Sequence, residues 1–234
     1  MISHSDLLWI CSTPELQLKS LHKLQRFSEV RVVIEKPITE DQRINREITN
    51  ILLKQNNIFI SRPWSFSKLW REYKHNLTAE KYIKSIKVRH SGELLREYIN
   101  PPQDWLHHDL CLLHEINLDV DLTEAESRKI WSNNNKNLSI QSDNGVNIDV
   151  VGGYSLERNS ILEIISENNT ILTMDMNQKS LTIQRGDSAP EEFKYSDDLP
   201  INSMVEHFVG TKIDESNQKR ELDLLKALQI LSIE

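Results

Sequence analysis

Two short stretches of this sequence hold residues able to do chemistry. In "VVIEKPIT", Glu35, Lys36 and Pro37 stand at the end of an apolar run. Open parallel sheets bind ligands outside the carboxyl ends of their strands. A proline there fixes φ and bends the chain, so the lysine can be aimed into a crevice; the alternative is a solvated lysine in a βα loop. In "QDWLHHDLCLLHE", Asp104 and His108 are four apart and share one face if the segment is helical. A carboxylate beside an imidazole suits proton transfer near neutrality; the alternative is a helix-start aspartate beside a surface histidine. The same stretch spaces His107, Cys111 and His114 like a metal-binding stripe. Three ligands on one helix rarely close a tetrahedral site unaided, so no metal is expected.

These residues need elements to hold them. "DLLWIC" reads as a strand buried on both faces, over residues 6–11. "STPEL" follows, with Thr13 as N-cap and Pro14 at the first helical position. Leu16, Leu18, Leu21 and Leu24 give the helix an apolar face to about Phe27. A second strand spans 30–35, and Thr39 with Gln42 forms a capping box for a helix turning Ile44, Ile48, Ile51 and Leu52 inward. "NNIFISRP" is a turn and a third strand, completing β-α-β-α-β with right-handed crossovers.

Beyond Pro63 the texture changes. "SKLWREYKHNL" is helical, "YIKSIKVRH" alternates like a half-exposed strand, and Leu106, Leu110 and Leu113 mark a helix after the double proline. Four or five alternating strands fill about 137–185, and two amphipathic helices close the chain from 200 on. The fold class expected is α/β: a partial Rossmann parallel sheet over residues 1–63, then an α+β domain over 64–234 with a mainly antiparallel open sheet.

With 234 residues the chain has room for two modest domains. A net charge of −7 with no basic stripe argues against nucleic acid or an anionic membrane surface. No apolar run is long enough to span a bilayer. Two cysteines, Cys11 and Cys111, are far apart, which fits reduced thiols and a cytoplasmic location.

In their order along the chain, "DLLWICSTPELQ", "VRVVIEKPIT" and "NNIFISRP" resemble the Rossmann domain of the Gfo/Idh/MocA oxidoreductases (glucose–fructose oxidoreductase/inositol dehydrogenase-like). Asp104, His108, Asp109, Leu112 and Leu113 match the Asp-x-x-x-His-Asp-x-x-Leu-Leu helix of that family's second domain. The strands of "GVNIDVVGGYSLERNSILEIISENNTILTMD" and the closing helix pair from Ser203 are also similar to it. The resemblance covers nearly the whole chain. It implies an oxidoreductase using NAD or NADP on a hydroxyl or carbonyl of a sugar or polyol. Thr13, Pro14, Glu35, Lys36 and Pro37 would line the nicotinamide site. His108 would be the acid–base, Lys36 would stabilise charge on the reacting oxygen, and Asp104 would orient substrate or imidazole. Arg62, Trp64 and Trp105 would face substrate, the alternative for each being ordinary packing. Lys36 and His108 are expected to share one groove.

The sequence departs from the family at several places. The six glycines are 92, 145, 152, 153, 186 and 210, so no Gly-x-Gly-x-x-Gly loop can cradle a pyrophosphate in the Rossmann-like part. The resemblance leads to the expectation of two further βα units, roughly 60 to 70 residues, that this sequence does not contain. Gln17 stands where the family often has His, Leu106 where Gly is usual, and Cys111 where Asp is usual. Dinucleotide binding is therefore expected to be impaired or to need a partner. The strand at 6–11 would be an apolar edge that a partner covers, and the resemblance implies that the C-terminal sheet is a surface for homo-oligomers. The alternative function is a non-catalytic binding or scaffold subunit derived from the family.

Overall fold

A computed structural model describes the backbone over residues 7–35, 41–80, 82–92, 107–116, 127–131, 135–141, 146–154, 158–197, 199–211 and 213–229. The chain forms two compact units. The first joins residues up to Pro63 with those from Ile201 onward, and the second runs from Trp64 to Pro200.

In the first unit, strands β1 (Leu7–Ile10), β2 (Arg31–Ile34) and β3 (Ile58–Ile60) form a parallel sheet in the order β1-β2-β3. In register, Ile10, Ile34 and Ile60 form one row. All three residues of β3 and Val32 to Ile34 of β2 are buried, as continuous apolar runs require in a parallel sheet. The crossovers are helices α1 (Pro14–Leu24) and α2 (Gln42–Leu52), which pack on each other.

Two details of these helices differ from the sequence reading. The face of α1 turned inward is Gln17, Leu21 and Leu24, while Leu16 is 53% exposed. The cap of α2 is Asp41, whose side chain accepts from the Arg43 backbone N–H at 2.9 Å; the expected cap Thr39 lies outside the described residues. Arg43 also holds the Asp41 carboxyl below its ordinary range, by side-chain and backbone hydrogen bonds.

Helices α5 (Pro200–Gly210) and α6 (Glu215–Gln229) lie in this first unit, apart from the first residue of α5, and not with the second as the sequence reading had placed them. The reason is packing. Phe208 of α5 stacks on Phe59 of β3 at 4.8 Å, and α6 packs against α2 and β3. Arg62 is 3% exposed, and its guanidinium meets both oxygens of the fully buried Glu221 carboxylate of α6, at 2.7 and 2.8 Å. Glu221 also accepts from the backbone N–H of Ile60 at 2.9 Å, closing the outer edge of β3. The sequence reading gave Arg62 to substrate; burial and this carboxylate make it a structural residue.

The second unit begins at the half-buried Trp64, within a 3₁₀ turn that spans Pro63–Phe66. Helix α3 (Lys68–Thr78) follows, capped by Ser67, whose Oγ accepts from Trp70 N at 2.9 Å. Among the described residues its sheet has eight strands: β4 (Ile83–Gly92), β5 (Ser127–Trp131), β6 (Asn135–Gln141), β7 (Asn147–Tyr154), β8 (Asn159–Ser166), β9 (Thr170–Asp175), β10 (Ser180–Arg185) and β11 (Glu191–Lys194). Their order is β11-β10-β9-β8-β4-β7-β6-β5, antiparallel throughout except for the parallel pair β4–β7. Strands β5 and β11 were not foreseen. Alternation sends Ile86, Val88, Ile148, Val150, Leu162, Ile164, Leu172 and Met174 to one buried face. Helix α3 packs on β9 and β10, and α4 (His107–Glu115) is held to α3 by Glu115, which accepts from Trp70 Nε1 at 2.8 Å and Lys74 Nζ at 3.1 Å.

Tyr73 of α3 is fully buried and donates its hydroxyl to the Leu172 carbonyl at 3.2 Å. Burial first, and the Glu163 carboxylate second, hold its phenol well above the ordinary 10.0. The folded chain therefore keeps this proton more tightly than the unfolded one. Its contribution is complete below the unfolded value and is lost as pH rises above it, by up to about 1.4 kcal/mol per pH unit. Urea midpoints at pH 8 and 11 should show a smaller alkaline loss for Tyr73→Phe than for the wild type. Equal losses in the two would contradict this account of the site.

Candidate functional site

The candidate residues fall in both units. In the first, three strand ends converge by register, and each contributes a polar side chain just past its last paired residue. After β1 come Cys11, Ser12 and Thr13; after β2 comes Glu35; after β3 comes Ser61. Thr13 is extended (φ −63, ψ 156) and is the N-cap of α1, with Pro14 at its first position, but its side chain makes no capping hydrogen bond. Thr13 is exposed and Pro14 half-buried.

Gln17 does the holding at this turn. Its backbone N–H reaches the Thr13 carbonyl at 2.8 Å, and its side-chain Nε2 donates to the Ser12 carbonyl at 2.8 Å. Gln17 is fully buried, and its Oε1 meets no hydrogen-bond partner among the described residues; neither does the buried Ser12 Oγ. Orphaned polar atoms of this kind cost stability unless something else satisfies them. Sequence reading marked Gln17 only as a departure from a family pattern. The interruption of an otherwise leucine-rich helical face was the signal available.

Glu35 N donates to the Ile10 carbonyl at 3.1 Å, and Glu35 Oε1 accepts from Ser61 Oγ at 3.1 Å. The β2 end is thereby tied to its neighbours on both sides. Partial burial, then the Glu35 carboxylate, push the Cys11 thiol up from its ordinary 9.0. Cys11 thus stays protonated near neutral pH and is a poor nucleophile. No disulfide joins Cys11 and Cys111. Lys36 and Pro37 lie outside the described residues.

In the second unit the site residues sit on α4. Its underside is buried: His107, Asp109, Leu110, Cys111, Leu112 and Leu113. His108 is half-buried, with its ring centroid 4.2 Å from that of His107 in an edge-on arrangement. Asp109 Oδ2 lies 2.7 Å from His90 Nδ1 of β4, and Ser160 Oγ of β8 lies 3.5 Å from the same nitrogen. His90 was missed by the sequence reading, although its place on the inward side of an alternating strand is visible there. Asp104 and Trp105 lie outside the described residues. Among the described residues no group of three or more His, Cys, Asp and Glu could hold a metal ion, and no helix is long and apolar enough to cross a membrane.

No protein-family model and no curated protein matches the sequence. Solved structures match the fold across nearly the whole chain. UDP-N-acetylglucosamine 3-dehydrogenase from Acidithiobacillus ferrooxidans aligns with TM-score 0.76 at 12% identity, over 98% of this chain and 79% of its own. A 3-ketoreductase from Actinomadura kijaniata, in complex with TDP-benzene and NADP, aligns with TM-score 0.75 at 12% identity, over 97% and 75%. A Gfo/Idh/MocA family oxidoreductase from Vibrio cholerae aligns with TM-score 0.71 at 11% identity, over 96% and 76%. The chain has the fold of these oxidoreductases.

Proposed function

We propose that this chain is an NAD(P)-dependent oxidoreductase of the Gfo/Idh/MocA type, acting on a hydroxyl or carbonyl of a sugar or polyol. The observation that carries the reading is the fold likeness to such enzymes over 98% of the chain at TM-score 0.76. A fold alone hosts many activities, so the reading also leans on residues of this chain. The β1–α1 turn offers two buried hydrogen-bonding atoms, Ser12 Oγ and Gln17 Oε1, that a nicotinamide carboxamide would satisfy. Thr13, Pro14, Glu35, Lys36 and Pro37 would hold that end of the cofactor. Bound there, the nicotinamide would supply or accept hydride.

The chain's own part is proton handling. His108 moves the proton of the reacting hydroxyl, Lys36 steadies charge on its oxygen, and Asp104 orients the substrate or the imidazole. Trp64 and Trp105 offer indole faces to sugar C–H surfaces.

The pyrophosphate end fits less well. No glycine precedes Gly92, so no glycine-rich turn brings phosphates to the N-terminus of α1. Strand β1 pairs only with β2 among the described residues. A βα unit with a glycine-rich turn, paired along that edge, would supply a pyrophosphate anchor. The second reading, a non-catalytic binding subunit, is favoured by the same lack of glycine.

Titration with NADH and NADPH, followed by nicotinamide fluorescence, separates the two. A saturating change with a dissociation constant near 1 mM, about −4 kcal/mol, is expected for a cofactor held mainly by one end. A flat titration into the millimolar range would sink the enzyme reading for the chain alone.

A further inference from the structure

The contact between His90 and Asp109 has no place in the proton transfer proposed above, yet Asp109 is the chain neighbour of His108, the residue proposed to perform it. His90 stands on the buried face of β4, in the same inward row as Ile86 and Val88. Its register partners are Gly152 on β7 and Ser160 on β8. The imidazole thus has a glycine on one flank and a serine on the other, both small residues. Asp109 of α4 meets that ring at 2.7 Å; the two side chains are 4% and 0% exposed.

Such a contact is demanding. Asp109 Oδ1 is buried and meets no hydrogen-bond partner among the described residues, so the carboxylate is anchored mainly through its other oxygen. An apolar pair of similar size would pack in this layer without that desolvation cost. What the polar pair adds is direction. Apolar burial of residues such as Leu110 and Leu113 is non-directional, whereas a short hydrogen bond constrains how far α4 is rotated about its own axis.

We infer that Asp109, gripped by His90, is a positioning residue for His108. The two neighbours share the first turn of α4, about 100° apart around the helix. A rotation of roughly 10° carries a side chain on the helix rim, about 5 to 6 Å from the axis, through about 1 Å. A misplacement of that size can lower a rate by about a hundredfold. This inference rests on the proposed acid–base role of His108, and the test keeps the two apart.

The test uses the full chain carrying ¹⁵N-histidine, with the ring signal of His108 identified by its loss in His108→Gln. Asp109→Asn and His90→Leu should each move the His108 ring resonances. Where turnover is measurable, they should lower kcat about tenfold or more while KM changes by no more than about threefold. His90→Asn places an amide nitrogen near the position of Nδ1, so it should restore both readouts toward wild type even if Asp109→Asn does not fold. Unmoved His108 resonances in folded His90→Leu, with only a lower melting temperature, would assign the pair to packing and overturn the inference. A wild-type chain without nicotinamide-dependent turnover would sink the proposed reaction, yet the resonance comparison would still decide the positioning.

Discussion

Glu221→Ala is expected to remove about 3–5 kcal/mol of stability. That is a large share of the roughly 5–15 kcal/mol by which domains are usually held folded. The carboxylate is fully buried and takes hydrogen bonds from Arg62 Nη1, Arg62 Nη2 and the Ile60 backbone N–H. Alanine would remove the Glu221 charge from a buried guanidinium and the acceptor from a strand-edge N–H. Arg62 Nη1 also donates to the Ile60 carbonyl at 3.0 Å, and its guanidinium carbon lies 5.6 Å from the Phe208 ring centroid. The guanidinium cannot leave for solvent without disturbing β3 and α5 together. Two readouts check the claim: the urea midpoint, and the exchange rate of the Ile60 amide. The double variant Arg62→Met/Glu221→Leu should recover most of the loss, because an apolar pair of similar volume carries no desolvation cost. A Glu221→Ala chain as stable as wild type would show that the pair contributes nothing.

The same pair marks where reading the sequence reached its limit. Period-2 and period-3.6 patterns report which positions are buried, and they located β1, β2, β3, α1 to α4 and the strands from β6 to β10. They fail where a buried position is polar. Gln17 occupies the inward position next to Leu16, so the leucine pattern pointed to the wrong residue. Glu221 looks like any exposed charge on an amphipathic helix until Arg62, 159 residues earlier, is brought to it. That long-range contact, together with Phe208 on Phe59, also explains why α5 and α6 join the first unit instead of the nearer second one. Strand β11, "EEFK", is exposed at every position and has no alternation to detect. Around the candidate site, the spacing paired Asp104 with His108 on one helix face and the family resemblance added Asp109, whereas His90 read as one more residue of an alternating strand. Its partner is 19 residues away, and only the parallel and antiparallel neighbours of β4 place it under α4.

His108→Gln is the substitution with the largest expected effect on activity. Removing a general acid–base typically lowers turnover by about 10²–10⁴-fold. Glutamine keeps a hydrogen-bonding amide of similar reach but cannot pick up and return a proton near neutral pH. His108 is half-buried, while the contacts that seat α4 come from Asp109, Glu115 and the leucines around them. The fold and the melting temperature should therefore change little. The NADH titration is the internal control: a variant that has lost only proton transfer should bind the nicotinamide as wild type does, so kcat falls while cofactor affinity holds. A parallel loss of both would mean that His108 supports cofactor binding instead. If turnover were unchanged in His108→Gln, the proton would have to travel through another group, and the resemblance of this helix to a catalytic one would be a likeness of shape without the chemistry.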